Sequence, residues 1–173
     1  MQPIFPRGKM RKEQLLFRVF LRMLQLLTFL LIIAIAGGFW RSHKLKQSAD
    51  QQIFLKGTYP DPALDGPYKG SVKGWSGSWK GKTFTAASSG GINAFEDNGK
   101  ETLKYPFHTY KAHGLTDAID VLKIDYATSQ NPWWLRPILD ELVQVEPGKY
   151  LGKMQARIIP GFPFTVTFFR LEK

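Results

Sequence analysis

Few side chains in this sequence could do chemistry. The C-terminal part carries two histidines, His108 and His113. They are five residues apart, so on one strand they project to opposite faces and do not suit a shared metal ion. Asp120, Asp125, Asp140 and Glu141 are the carboxylates nearest recognisable elements. Asp140 and Glu141 resemble a carboxylate pair, but strand neighbours diverge, so both read as solvated charge. Ser88-Ser89-Gly90-Gly91 reads as a flexible loop, and a serine without a placed base is not a nucleophile. No H-E-x-x-H, G-x-S-x-G or phosphate-binding loop occurs. The absence of cysteine removes thiol catalysis, disulfides and cysteine metal sites together. The sequence therefore assigns no catalytic residue, no metal site and no cofactor. The one enzymatic reading it leaves is a reaction on a bound ligand, using His108 or Asp125.

Aromatic side chains offer more. Residues 74–84 read GWSGSWKGKTF. Trp79 lies between Gly77 and Gly81, and small neighbours let an indole fold over the backbone at a barrel end. There it would plug a floor, with its N–H needing an acceptor. In this register Lys80 and Lys82 point outward into solvent. Trp75 lies in the preceding turn, placed to rest on a membrane interface. The second cluster, NPWWLRP (131–137), has two prolines stiffening a loop that presents Trp133 and Trp134. Adjacent residues on an extended chain point opposite ways, so one ring at most faces a core. The other suits a lid over a barrel mouth or a wedge into lipid headgroups.

These residues need elements to position them, and the head of the chain is the plainest. The formal charge is +10, but residues 1–46 carry nine Lys/Arg against one acid, Glu13. The excess flanks an apolar run, which favours anionic headgroups over nucleic acid as partner. Met23 to Trp40 holds no charge and spans about 27 Å as helix, close to a hydrocarbon core of about 30 Å. Residues 1–22 read as a basic cytoplasmic segment, 23–40 as a transmembrane signal anchor and 41–67 as a polar stalk with a turn-rich entry. The flanking charges place the N-terminus in the cytoplasm and the C-terminal domain across the membrane, periplasmic or luminal. Ala34-Ile35-Ala36 is a rival signal: cleavage after Ala36 would make the head a signal peptide.

Residues 68–173 form the domain, and their hydrophobic period is two. Strands are expected at 78–84, 105–114, 119–126, 138–146, 150–159 and 164–173, with PGK and PGFP as turns. In 150–159, Tyr150, Gly152, Met154, Ala156 and Ile158 share the inward face, and Lys153, Gln155 and Arg157 the outward one. Short strands, Gly/Pro turns and no long helix after residue 50 predict an all-β fold, a meander closing as an antiparallel barrel or sandwich. A closed barrel also leaves no aggregation-prone edge.

Gly77-Ser78-Trp79-Lys80-Gly81, with Lys82 and Phe84, resembles the family named for its Gly-X-Trp-X-Gly motif. Its members often continue into a C-terminal domain of unknown function. That part is similar to Asp125-Tyr126, Pro137, Val143-Gln144-Val145, Leu151-Gly152-Lys153-Met154 and Pro163-Phe164. The resemblance covers roughly residues 74–171. It implies a small lipocalin-like β-barrel and no established reaction. The membrane head departs from the family and argues against a cytosolic metabolic role.

The leading expectation is an anchored barrel that binds a small apolar or amphipathic molecule, a lipid or pigment. Trp79, Phe84, Asn93, Phe95, Tyr126 and Met154 would line its interior, and Trp133 and Trp134 its mouth. The alternative is a barrel packed solid with aromatics that serves as an envelope assembly module with a protein partner.

Overall fold

A computed structural model describes residues 7–173, with side chains from Lys12 onward; residues 1–6, the start of the expected basic segment, lie outside the described residues. The chain divides into two units, one ending at Trp40 and one running from Arg41 to Lys173. The first belongs to helix α1 (Arg7–Lys46). Its apolar side chains are exposed all round, from Leu15 through Ile33 to Trp40. A helix with apolar residues on every face and no core to enter matches a nonpolar solvent. Within Lys12–Lys46 it is long and apolar enough to cross a membrane, and none of its 18-residue apolar window is buried.

The second unit begins in the last turns of α1. Residues 41–52, expected as a polar stalk, are mostly helical instead. Ser48 caps α2 (Ala49–Lys56), its Oγ accepting from the Gln51 backbone N–H at 3.2 Å. Eight residues are too short for a helical period to stand out. The helix is held by tertiary contact: Phe54 is fully buried against Val121, Val143, Leu151 and Phe168. The proline-rich stretch that follows is irregular up to β1, as its composition requires.

Eight antiparallel strands then close into a barrel. They are β1 (Gly66–Ser71), β2 (Trp79–Thr85), β3 (Gly90–Asp97), β4 (Lys100–His113), β5 (Asp120–Asp125), β6 (Ile138–Glu146), β7 (Lys149–Ile159) and β8 (Phe162–Glu172). Each pairs with the next, and β1 pairs with β8 through Lys69–Glu172, Gly70–Leu171 and Ser71–Arg170. The six expected strands are present. β1 and β3 were not expected. GPYKGS is too short and glycine-rich to show alternation, and Gly90-Gly91 begins β3 rather than forming a loop. Gly91 is required there, because a Cβ would strike the Thr83 carbonyl and the Phe107 ring.

The barrel has two cores. Inside, Tyr68, Phe84, Phe107, Leu122, Ile124, Leu142, Tyr150 and Leu171 fill the half nearest the β6–β7 turn. Their rings meet edge to face: Tyr68 with Phe84 and with Tyr150, each 5.5 Å between centroids. Outside, α2 covers the face of β5–β8. The outward face of β7 is therefore not solvated as its polarity suggested. Lys153 and Gln155 are fully buried, Lys153 against Phe54 of α2 and Asp117 of the β4–β5 loop, and Gln155 against Glu141 and Thr165. Glu141, also expected in solvent, is the hub of this face. It pairs with Lys123 and, at 3.2 Å, with Lys153. Lys153 also pairs with Asp117, to which Gln51 of α2 donates at 3.0 Å. Two lysines and two carboxylates thus neutralise one another in a buried layer.

Candidate functional site

The other half of the barrel interior is open. A cavity of about 590 Å³ is lined by Trp79, Asn93, Phe95, Tyr105, Tyr126, Ile138, Met154 and Phe169, with Arg41, Lys73, Trp75 and Trp134 towards its mouth. Its size falls within the range of small-molecule sites, about 300–1,000 Å³.

A β-bulge builds its polar wall. The pairing of β2 with β3 shifts between Trp79 and Gly81. Gly81 takes φ +143°, open to glycine but not to a side-chain-bearing residue, and a Cβ there would strike the Tyr68 carbonyl. The extra residue breaks strict alternation, so Trp79 and Lys82 both enter the interior. Lys82, expected outside, is therefore buried. Lys80 keeps its outward position and pairs with Glu96. The indole of Trp79 lies over Gly70 of β1, where any Cβ would collide with the ring. The small neighbour it needs thus comes from the adjoining strand, while Gly77 accommodates Trp75.

Trp79 Nε1 donates to Asn93 Oδ1 at 3.1 Å. Lys82 Nζ donates to the same oxygen at 2.9 Å and to the Tyr126 hydroxyl, and it pairs with Asp140 Oδ2 at 3.0 Å. The Tyr126 hydroxyl lies 3.1 Å from Asp140 Oδ2 and donates to it. Asn93 Nδ2 donates to the Tyr105 carbonyl at 2.9 Å. A second bulge, between Ile92 and Asn93, faces this point, and Tyr105 is held at φ +64°. A bulky residue held there marks a constrained position. The rings of Tyr126, Phe107, Phe169 and Trp79 surround the ammonium, 5.1–5.7 Å from Nζ to centroid.

The electrostatics follow from this enclosure. Side-chain exposure is 3% for Lys82 and 6% for Asp140. Burial holds the Lys82 ammonium below its ordinary range, and Asp140 opposes that shift without cancelling it. Burial pushes the Tyr126 phenol well above its ordinary range, and the Asp140 charge adds to the rise. Asn93 Oδ1, the Tyr126 hydroxyl and Asp140 Oδ2 provide three acceptors for the three protons of the Lys82 ammonium form. Among the described residues the hydrogen bond and ion pair of Asp140 both fall on Oδ2, which leaves Oδ1 as the acceptor on the cavity-lining carboxylate.

Six of the eight residues expected at a ligand site line this cavity: Trp79, Asn93, Phe95, Tyr126, Trp134 and Met154. Phe84 sits deeper, in the filled half. Trp133 is 79% exposed and does not line the cavity. Phe95 packs on Tyr105, and Tyr105 on Trp134, edge to face at 5.6 and 5.9 Å. Lys82 and Asp140 escaped the sequence reading. The signal for Lys82 was Gly81 within a strand, which marks a bulge. Asp140 gave none, because both faces of ILDELVQVE mix polar and apolar residues. His108 is exposed on the barrel exterior, and Asp125 is engaged outside by Arg157 at 2.9 Å. Among the described residues no group of three His, Asp or Glu could hold a metal ion. No protein-family model, no curated protein and no solved structure matches this chain.

Proposed function

We propose that this is a membrane-anchored, exported, lipocalin-like barrel that holds one small amphipathic ligand, such as a lipid or a pigment. The carrying observation is the half-open interior: an aromatic cavity of about 590 Å³ with a buried Lys82–Asp140 pair in its wall. The apolar body of the ligand lies against Phe95, Ile138, Met154 and Phe169. Its polar group is a hydrogen-bond donor, a hydroxyl, amide or amine. Among the described residues Asp140 Oδ1 has no hydrogen-bond donor, whereas the donors of Lys82, Trp79 and Asn93 are already engaged. A carboxylate or phosphate seated beside Asp140 would meet its charge, and the cations that line the cavity besides Lys82, Arg41 and Lys73, stand towards the mouth. The basic flank before the apolar run supports an N-terminus in the cytoplasm. The Gly-X-Trp-X-Gly resemblance supports the lipocalin-like character.

The test is purification of the full chain from its membrane in mild detergent, solvent extraction and mass spectrometry of what it carried. A stoichiometric neutral or amine-bearing amphiphile, lost from the Met154→Trp variant that fills the cavity, is the expected result. Extracts with no stoichiometric small molecule, or with only anionic ones, would refute this reading. Recovery of a constant crosslinked protein through Trp133 and Trp134 would favour an assembly module instead.

A further inference from the structure

We propose that the end of the barrel bearing the cavity mouth is a lipid-docking face, seated on the headgroups of an anionic phospholipid membrane. This rests on the reading that α1 crosses a membrane, and it adds which end of the barrel meets the lipid.

In an up-and-down barrel alternate connections lie at the same end. The connections at 72–78, 98–99, 126–137 and 160–161 therefore share one end. It is the mouth end, because Lys73, Trp75 and Trp134 line the cavity. These four connections contain Lys73 and Arg136 and no acidic residue. They also carry Trp75, Trp133 and Trp134, all exposed, while Ile158 and Phe162 are exposed beside the β7–β8 turn. The entry segment 57–65 and the connections at 86–89, 114–119 and 147–148 share the opposite end. They contain Asp61, Asp65 and Asp117, no basic residue and no tryptophan. The connections at the mouth end thus hold the indole rings and two cations, with Glu96, Asp97, Lys100 and Glu101 on the strand ends beside the β3–β4 turn, whereas the connections at the opposite end carry only acidic charges. Tryptophan beside lysine and arginine is the composition of a membrane–water interface, where the ring sits at headgroup depth and the cation meets phosphate.

A third observation fixes the same end independently. The Arg41 Nε–H donates to the Val166 carbonyl at 3.1 Å, and the Thr165 N–H donates to Ser42 Oγ at 2.9 Å. Arg41 also lines the cavity. The residue that directly follows the apolar run in sequence is therefore fastened at the mouth. Docked this way, the cavity opens towards lipid, and an amphiphile enters it without crossing water.

The chain has no cysteine, so single-cysteine variants can each carry one polarity-sensitive fluorophore. Ser76→Cys and Trp133→Cys report the mouth end, and Ser88→Cys the opposite end; all three positions are exposed. Full-length protein is reconstituted into phosphatidylcholine–phosphatidylglycerol vesicles containing a headgroup nitroxide lipid. The expected result is blue-shifted emission at 76 and 133, with quenching at least about twofold that at 88. Lys73→Glu, or vesicles of phosphatidylcholine alone, should reduce the difference. Protein that floats with the vesicles but is quenched equally at all three positions overturns the docking and leaves the membrane span standing. Protein that does not float with vesicles overturns both. The ligand reading is tested by extraction and fails or stands separately.

Discussion

Removing the charge of Asp140 tests how the cavity wall is built. In Asp140→Asn the Lys82 ammonium remains 3% exposed, with only Asn93, Tyr126 and four rings around it. Leaving one member of a buried pair uncompensated costs about 3–5 kcal/mol. Proton loss gives a second route to the same figure. Neutralising a lysine costs about 1.4 kcal/mol for each pH unit below its ordinary value, about 4 kcal/mol at pH 7.5. The two agree, so the variant should lose about 3–4 kcal/mol at neutral pH, whichever way Lys82 responds. The pH dependence separates this from a packing defect. In the variant Lys82 sits further below its unfolded value of 10.5. The unfolded chain then binds more protons than the folded one, and stability rises with pH. The rise, at most about 1.4 kcal/mol per unit, runs from the lowered folded value up to the unfolded one and flattens above it. Lys82→Met with Asp140→Asn should recover most of the loss, because no charge is left buried. The assay is denaturant unfolding of the full chain in detergent, followed by near-ultraviolet circular dichroism across that pH range. A variant within about 0.5 kcal/mol of the parent, or a loss independent of pH, would refute the argument.

Three further outcomes follow from the same geometry. Burial pushes the Glu141 carboxyl up, but Lys153, Lys123 and the Leu115 N–H together outweigh it and hold it below 4.5. Its stabilisation is therefore complete above that value and is lost as pH falls through the lowered folded value, so acid titration should loosen the barrel. Glu141→Gln should cost about 3–5 kcal/mol at pH 7 and flatten the acid limb, as read by equilibrium melts. Gly70→Ala drives a Cβ into the Trp79 ring, so it should cost about 1–3 kcal/mol and alter indole emission; an unchanged spectrum would contradict the packing. Phe54→Ala empties the pocket beneath α2 at a cost of about 3–5 kcal/mol. Proteolysis should then cut near residues 47–57 while leaving the strands intact.

The strands that alternate with little interruption were legible in the sequence. The strands expected at 138–146, 150–159 and 164–173 pair with one another around turns such as PGK, though the register shifts at Gln144/Glu146, Met154/Gln155 and Ala156/Ile159, and Ile158, expected inside, is exposed. β1 and β3 were not, since glycine-rich stretches such as GPYKGS carry no apolar period and depend on barrel closure for pairing. The candidate site was legible in its aromatics and in Asn93, but its charges were hidden. Two assumptions concealed them: that alternation runs unbroken and that the polar face of a strand meets water. The bulge at Gly81 breaks the first and brings Lys82 inside. Helix α2 and the β4–β5 loop break the second: Phe54 lies over Lys153, Leu115 and Asp117 close on Glu141 and Lys153, and nothing in an eight-residue helix announces such a cover.

The adjacent carboxylates Asp140 and Glu141 show why these two failures belong together. Strand alternation sends Asp140 into the barrel and Glu141 out beneath α2, so one peptide unit joins two separate buried networks. β7 repeats the arrangement, with Met154 at the cavity and Lys153 and Gln155 buried on the outer face. The wall of β6 and β7 that faces the cavity is therefore fastened from behind by ion pairs that cannot relax into water. A cavity kept open against collapse needs such a wall. Its lining residues lack packing partners on the empty side, and an unsupported sheet would close over them. On the far side of the cavity, β2 is held by Trp79 lying over Gly70, and β3 by Asn93 reaching the Tyr105 carbonyl. The space is thus shaped by the barrel's own packing.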